Sequence, residues 1–249
     1  MDTSILIFIA GLLAGFMNSV AGGGSFITFP TLIFAGVPSV SANATSTVAL
    51  FPGSIAGAWA YRRECTSFTA APLKAMILTS LTGGLLGALL LQLTPTPLFD
   101  KAIPWLLATG TVIFAAGPKL GWLMQQKRQG QSAALLAAQL LLGIYGGYFG
   151  GAVGIMMMAV WSLFGILDIR VMNGIKTLLV GVTNAAAVLW FSAMGMVWWP
   201  QALIMLAGAV IGGYSGARCA RHLNPIFLRR GITLFNIIIT AYFFLKMMR

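Results

Sequence analysis

Polar side chains and consecutive glycines interrupt the apolar start of the chain. Glycine lets backbone N–H groups approach a ligand, and a helix that begins after such a break presents unpaired N–H groups that attract anions. Hydroxyl and carboxamide groups beside the break could bind the same ion. We therefore predict a substrate-binding tip made of Asn18, Ser19, Gly22, Gly23, Gly24 and Ser25. Close packing of helices through small residues is the alternative explanation for the glycines.

A second polar patch lies early in the next apolar segment. Its hydroxyl and amide groups could bind the oxygens of an oxyanion, next to the first tip. The predicted ligands are Asn43, Thr45, Ser46 and Thr47. The alternative is that the Ser and Thr hydroxyls bond back to the preceding turn of their own helix.

The second half of the chain carries a looser copy of both patterns. Its predicted substrate-binding residues are Gly150, Gly151, Gly154, Asn173, Lys176 and Thr177. A lysine inside a membrane segment is costly and is often functional, and Lys176 could neutralise an anionic substrate. Alternatively, its ammonium group extends outward to the interface or pairs with Asp168.

Residues suited to catalysis are scarce. The chain has one His and four acidic residues, and no apolar segment pairs a Ser with a base that could activate it. The acids do not form a paired-carboxylate or metal site, and no phosphate-binding loop of the ATPase type is present. The sequence therefore predicts a protein that is not an enzyme, with no catalytic residues, no metal site and no cofactor.

The elements that position these residues must lie in a lipid bilayer. Of the 249 residues, 59% are apolar and 8% are charged, about a third of the charged fraction of a soluble domain. The 15 Lys and Arg give a formal charge of +11, but they fall in short loops between long uncharged stretches. A protein that binds nucleic acid gathers such charge on a soluble face. We therefore predict the lipid bilayer, and no nucleic acid, as a partner.

Eight apolar segments can be read, and all are predicted to be helical because backbone in lipid must satisfy its own hydrogen bonds. They cover residues 4–37, 41–61, 72–93, 98–119, 132–167, 171–194, 199–219 and 226–246. As one helix the first would be about 51 Å long, against a hydrocarbon core of about 30 Å. It is too short for two spans and a turn. We predict that the first and fifth segments are broken, re-entrant hairpins interrupted at their glycines.

The second half repeats the first. The pair Gly83-Gly84 corresponds to Gly212-Gly213, and Asn43 to Asn173. Basic residues follow the second segment, whereas the equivalent loop after the sixth segment has none. In the next pair of equivalent loops, it is the loop after the seventh segment that holds the excess of basic residues. Equivalent loops of opposite charge should face opposite sides of the membrane. We predict two inverted repeats, residues 1–120 and 132–249, joined by a cytoplasmic linker at 121–131.

The predicted fold is an all-α polytopic membrane protein. Each inverted repeat consists of a broken or re-entrant helical hairpin followed by three transmembrane helices. If each hairpin enters and leaves on one side, the basic loops lie together on the cytoplasmic side. Both termini are then predicted to be periplasmic.

The stretch Gly15-Phe-Met-Asn18-Ser-Val-Ala-Gly22-Gly23-Gly24, followed by Asn43-Ala-Thr45-Ser-Thr47, resembles the sulfite exporter TauE/SafE family. The resemblance covers nearly the whole chain, with the looser copy in the second half. It implies a permease of the bacterial inner membrane for sulfur-containing anions, such as sulfite or organosulfonates.

The predicted function is a secondary transporter that moves a small anion, sulfite or an organosulfonate-type compound, by alternating access around the two tips. H⁺ or Na⁺ could serve as the coupling ion. A passive anion channel is the alternative, because composition does not separate the two. The hypothesis of a membrane-embedded enzyme is disfavoured because no apolar segment of the chain offers a nucleophile–base pair. A non-transporting scaffold would not explain the polar tips in both halves.

Overall fold

In the computed structural model the described residues are 3–20, 23–60, 70–123, 132–164, 166, 169–219 and 225–247. Every regular element among them is an α-helix, and there are ten. Those of the first half are α1 (Thr3–Val20), α2 (Ser25–Phe34), α3 (Ser39–Ala60), α4 (Leu73–Leu93) and α5 (Thr96–Leu123). Those of the second half are α6 (Ser132–Tyr148), α7 (Val153–Leu163), α8 (Ile169–Ala193), α9 (Trp199–Cys219) and α10 (Pro225–Met247). The predicted all-helical class is confirmed for this part of the chain.

The two longest predicted segments are each divided at their glycines. Gly23 has a φ of 91°, and α2 begins two residues later. Between α6 and α7, Gly150 has a φ of 74° and Ala152 a φ of 59°. Such left-handed backbone angles end a right-handed helix, and glycine adopts them without steric cost. The eight segments read from the sequence therefore become ten helices.

Glycines let two pairs of helices pack with their backbones in contact. In the pair α1–α9, Gly11 abuts the carbonyl of Met205 and Gly15 abuts that of Ala209. Residue numbers rise together along both helices, which therefore run parallel. Because no side chain fits at these positions, close packing accounts for these glycines.

The pair α4–α6 has the same construction. A Cβ added to Gly83 would lie 2.9 Å from the Cα of Gly143, and one added to Gly87 would lie 2.9 Å from the carbonyl carbon of Gly147. These helices also run parallel. The glycines of α4 therefore serve packing.

Helices α3 and α8 run antiparallel. The N–H of Trp198, just beyond the end of α8, donates to the hydroxyl of Thr45 near the start of α3. Farther along α3, the carbonyl oxygen of Ser54 lies 3.8 Å from a Cβ added to Gly181. The polar patch of α3 thus faces the start of α9.

Helices α5 and α10 also run antiparallel. The rings of Trp105 and Phe244 meet at a centroid distance of 5.1 Å, and the hydroxyl oxygens of Thr111 and Thr240 lie 3.4 Å apart. Residue numbers rise along one helix as they fall along the other. The two hydroxyls lie well inside both helices.

A cluster of phenylalanines holds α2 in place. The ring of Phe29 packs edge-on against Phe149, between α6 and α7, with centroids 5.5 Å apart. It also lies 6.3 Å from the ring of Phe99 on α5 and 6.4 Å from that of Phe243 on α10. All four side chains are buried. The first hairpin is thereby fixed against the break in the second.

The outer surface suits lipid. An exposed leucine face runs along α4, formed by Leu78, Leu81, Leu85, Leu86, Leu90 and Leu93. Continuous apolar surface of this kind is rare in soluble monomers. Within the described residues, Leu73–Leu93 and Gly174–Ala193 are long and apolar enough to cross a membrane.

Candidate functional site

The first tip is closed by a side chain of α1. The Oδ1 of Asn18 accepts a hydrogen bond of 2.7 Å from the N–H of Gly24, which would otherwise be an unpaired group at the start of α2. A Cβ added to Gly24 would lie 2.6 Å from the carbonyl oxygen of Ala14. Ser25 is the first residue of α2. The tip therefore needs glycine for close approach as well as for its turn.

The polar patch of α3 connects three other elements. The hydroxyl of Ser46 lies 2.6 Å from that of Thr28 on α2, and both are buried. The Nδ2 of Asn43 donates a bond of 2.9 Å to the carbonyl of Tyr148, the last residue of α6. The patch therefore ties the first hairpin to the second.

Thr45 extends this connection to α9. Its hydroxyl accepts a bond of 3.0 Å from the N–H of Trp198, immediately before α9. Asn43 and Thr45 thus bind backbone groups at the ends of two second-half helices, where helices leave such groups unpaired. Three of the four predicted oxyanion ligands bond to other elements of the fold in this conformation. The fourth, Thr47, bonds back to the carbonyl of Asn43 at 2.9 Å, which is the alternative the sequence offered.

The second tip is braced from within its own hairpin. The hydroxyl of Tyr145 donates a bond of 2.9 Å to the carbonyl of Gly151, and the N–H of Gly150 donates one of 3.2 Å to the carbonyl of Tyr145. Ala152 takes a left-handed conformation here, although it has a Cβ. The second tip thus includes a non-glycine residue in a conformation that favours glycine.

Lys176 reaches the beginning of α7. A Cβ added to Gly154 would lie 3.1 Å from the Cδ of Lys176 and 3.2 Å from its Cγ, so the aliphatic part of this lysine packs on the first turn of α7. In the duplication predicted from the sequence, Lys176 corresponds to Ser46. Both residues join the third helix of a repeat to its second, one through a hydroxyl pair and the other with a cationic side chain.

The remaining predicted site residues fall in two groups. Thr177 is partly buried on α8. Gly22, Asp168 and the side chains of Ser19 and Asn173 lie outside the described part of the chain. The pairing of Lys176 with Asp168 therefore stays an open alternative.

A buried network that was not predicted from the sequence joins α4, α6, α7 and α8. The Nε2 of Gln139 donates to the hydroxyl of Ser80 at 2.9 Å, and its Oε1 accepts from the indole N–H of Trp161 at 3.0 Å. The hydroxyl of Thr183 also donates to the carbonyl of Ser80, at 3.4 Å. A single glutamine within an apolar segment was the available signal, because buried polar groups in membranes need partners. The network positions α7 and hence the second tip.

Comparisons with known proteins place the chain among transporters. The family model described as sulfite exporter TauE/SafE matches residues 7–243. A probable membrane transporter protein of Haemophilus influenzae is 26% identical over 247 residues, covering 96% of this chain and 94% of the relative. The probable membrane transporter protein YfcA of Escherichia coli K12 is 29% identical, covering 95% and 87%. The probable membrane transporter protein ORF9 of a Sinorhizobium species is 31% identical, covering 86% and 82%. No solved structure matches the chain significantly.

Proposed function

Because the chain belongs to the sulfite exporter TauE/SafE family, and is therefore a membrane transporter, we propose that it is a secondary transporter for a small anion. The anion class that fits best is sulfite or an organosulfonate-type compound, as the family description suggests. Relatives are named as transporters and not as enzymes, which agrees with the absence of catalytic residues expected from the sequence.

The observation that carries the proposal is the cation beside the second helix break. The side chain of Lys176 packs on Gly154 in the first turn of α7. An ammonium group and a helix N-terminus both favour negative charge, and broken helices are a common way for transporters to build a binding site. The substrate would bind between Lys176 and the second tip. Thr177, the next residue of α8, and the first tip would supply further contacts.

Inverted repeats are the second part of the proposal. The duplication relates the pair α1–α9 to the pair α6–α4, and the pair α3–α9 to the pair α8–α4. The helices of all four pairs are in contact. The equivalent helices α3 and α8 run antiparallel, and so do α5 and α10. A two-fold axis in the membrane plane produces this arrangement. The protein would then lie in a bacterial inner membrane with both termini periplasmic.

Alternating access would exchange the partners of the α3 patch. Asn43 and Thr45 bond to the second half, whereas Ser46 bonds to the first hairpin. A movement of one half against the other must break the first two bonds and free both side chains. They would bind substrate oxygens in that second state.

Lys176→Ala is the test of the proposed site. In proteoliposomes containing labelled sulfite, we expect this variant to lower anion flux at least about tenfold, the equivalent of one lost interaction of ~1.4 kcal/mol. The physical reason is that alanine removes the ammonium group that would offset the negative charge of the anion. The control is Lys74→Ala, which removes an exposed lysine at the start of α4 and should leave flux unchanged. Normal flux in Lys176→Ala would remove this lysine from the substrate site.

A further inference from the structure

Asn236 is a buried polar side chain that the proposed anion site does not use. It lies at the middle of α10 and is 1% exposed. Within the described part of the chain, neither its Oδ1 nor its Nδ2 has a hydrogen-bond partner. A carboxamide buried in this way is costly, so a polar occupant is expected beside it.

Two buried hydroxyl groups lie where α10 contacts α5, one helical turn along α10 from Asn236. Thr240 is one helical turn away on the same face of α10, and its oxygen lies 3.4 Å from that of Thr111 on α5. Both threonines are at least nine-tenths buried. Hydroxyl pairs usually bond at about 2.7–2.8 Å, so the hydrogen bond between these two is long and weak. The observed spacing therefore leaves room for both oxygens to face a third group.

We propose that Asn236, Thr240 and Thr111 form a sodium site between α5 and α10. Two oxygens that bind one hard cation at about 2.4 Å and at a right angle lie about 3.4 Å apart, which is the separation observed here. The carboxamide oxygen of Asn236 would be a third ligand. A monovalent ion is favoured because this cluster contains no carboxylate to neutralise a divalent one.

The charged side chains described on these two helices are distant from the cluster. Arg230 is six residues before Asn236 along α10, and Lys246 is ten residues after it. Asp100 and Lys101 lie in the first turns of α5, about ten residues from Thr111. The proposed ligands are therefore neutral oxygens in an apolar surrounding.

The cluster adjoins the second tip. Gly110, which precedes Thr111, is in close contact with that tip, since a Cβ added there would lie 3.6 Å from the carbonyl oxygen of Gly151. An ion that holds α5 to α10 would therefore also stabilise one position of the tip. The coupling of sodium to anion movement rests on the proposed function, whereas sodium binding itself does not.

The test is thermal unfolding of the purified protein without substrate in NaCl, KCl and choline chloride of equal concentration. A ligand that binds the folded state raises the melting temperature. We expect a saturable increase in Na⁺ alone. Thr240→Val keeps the side-chain shape and removes one ligand oxygen, and should weaken Na⁺ binding about tenfold. Thr82→Val is the matched control, because this exposed hydroxyl on α4 bonds only within its own helix.

Equal melting temperatures in the three salts would overturn the sodium site, as would an unchanged sodium effect in Thr240→Val. Binding of ²²Na⁺ to the wild-type protein decides the question if the variant does not fold. Sodium binding without any anion flux would retain this site and remove the proposed function, so the two failures are distinguishable.

Discussion

At the residue scale, two of the side chains expected to bind substrate, Asn43 and Thr45, bond to distant parts of the backbone in this conformation. The carbonyl that Asn43 binds is 105 residues away in the chain, and the N–H that Thr45 binds is 153 residues away. Composition and spacing identified both residues as unusual in an apolar segment. They could not reveal these partners, because the contacts exist only once the two halves are packed together.

Two buried residues whose roles were not predicted from the sequence have one feature in common. Gln139 and Asn236 are single amides in apolar helices, and each is buried. Clustered polar residues such as the α3 patch form a recognisable motif in the sequence, whereas a single polar residue in an apolar helix does not. In a membrane helix an isolated amide must still find a partner, so each one marks an interhelical contact or a ligand.

Gly24 gives the most direct residue-scale prediction. A Cβ at this position would meet the carbonyl of Ala14 at 2.6 Å and the Nδ2 of Asn18 at 2.8 Å. Gly24→Ala should therefore push α2 from α1 and destabilise the protein by ~1–3 kcal/mol, as overpacking typically does. The measurement is the melting temperature in detergent.

Gly53→Ala is the control for this change. Gly53 lies within α3, and a Cβ there would have nothing within 4 Å. Alanine also favours helix over glycine, so its melting temperature should stay equal or rise slightly. A Gly24→Ala protein as stable as Gly53→Ala would contradict the close-packed tip.

At the element scale, the sequence predicted the helices and the two breaks well. Long uncharged stretches allow only helices in lipid, and left-handed backbone at glycine ends a helix. The exact helix ends were harder to predict, since the second break includes Ala152 in a conformation that favours glycine. Its stability comes from contacts such as the bond of Tyr145 to Gly151.

Helix direction supplies a prediction about orientation. If α3 and α8 are equivalent and antiparallel, each half must cross the membrane an odd number of times, and both termini face the same side. Reporter fusions at residues 1 and 249 should both be active in the periplasm, because the basic loops hold the opposite side in the cytoplasm. A fusion at the predicted linker, residues 121–131, should read cytoplasmic. Termini that report from opposite sides would exclude the inverted repeat.

At the scale of the whole molecule, the two halves that we propose to be repeats differ in charge. The first tip is neutral and its contact with α3 is a hydroxyl pair, Thr28 and Ser46. The corresponding contact in the second half is made by Lys176. In the proposed mechanism, substrate charge would therefore be bound mainly by the second half, whereas the first half would supply neutral contacts and would move relative to it.

The central claim is that the molecule carries an anion by alternating access, and counterflow tests it most directly. Proteoliposomes are loaded with unlabelled sulfite or sulfoacetate, the membrane potential is clamped at zero, and the same labelled anion is added outside in trace amount. A carrier exchanges one anion for another, so the account predicts a transient accumulation of label inside, above its external concentration. Label that only equilibrates, as through a passive channel, or that does not enter with either anion, would contradict it.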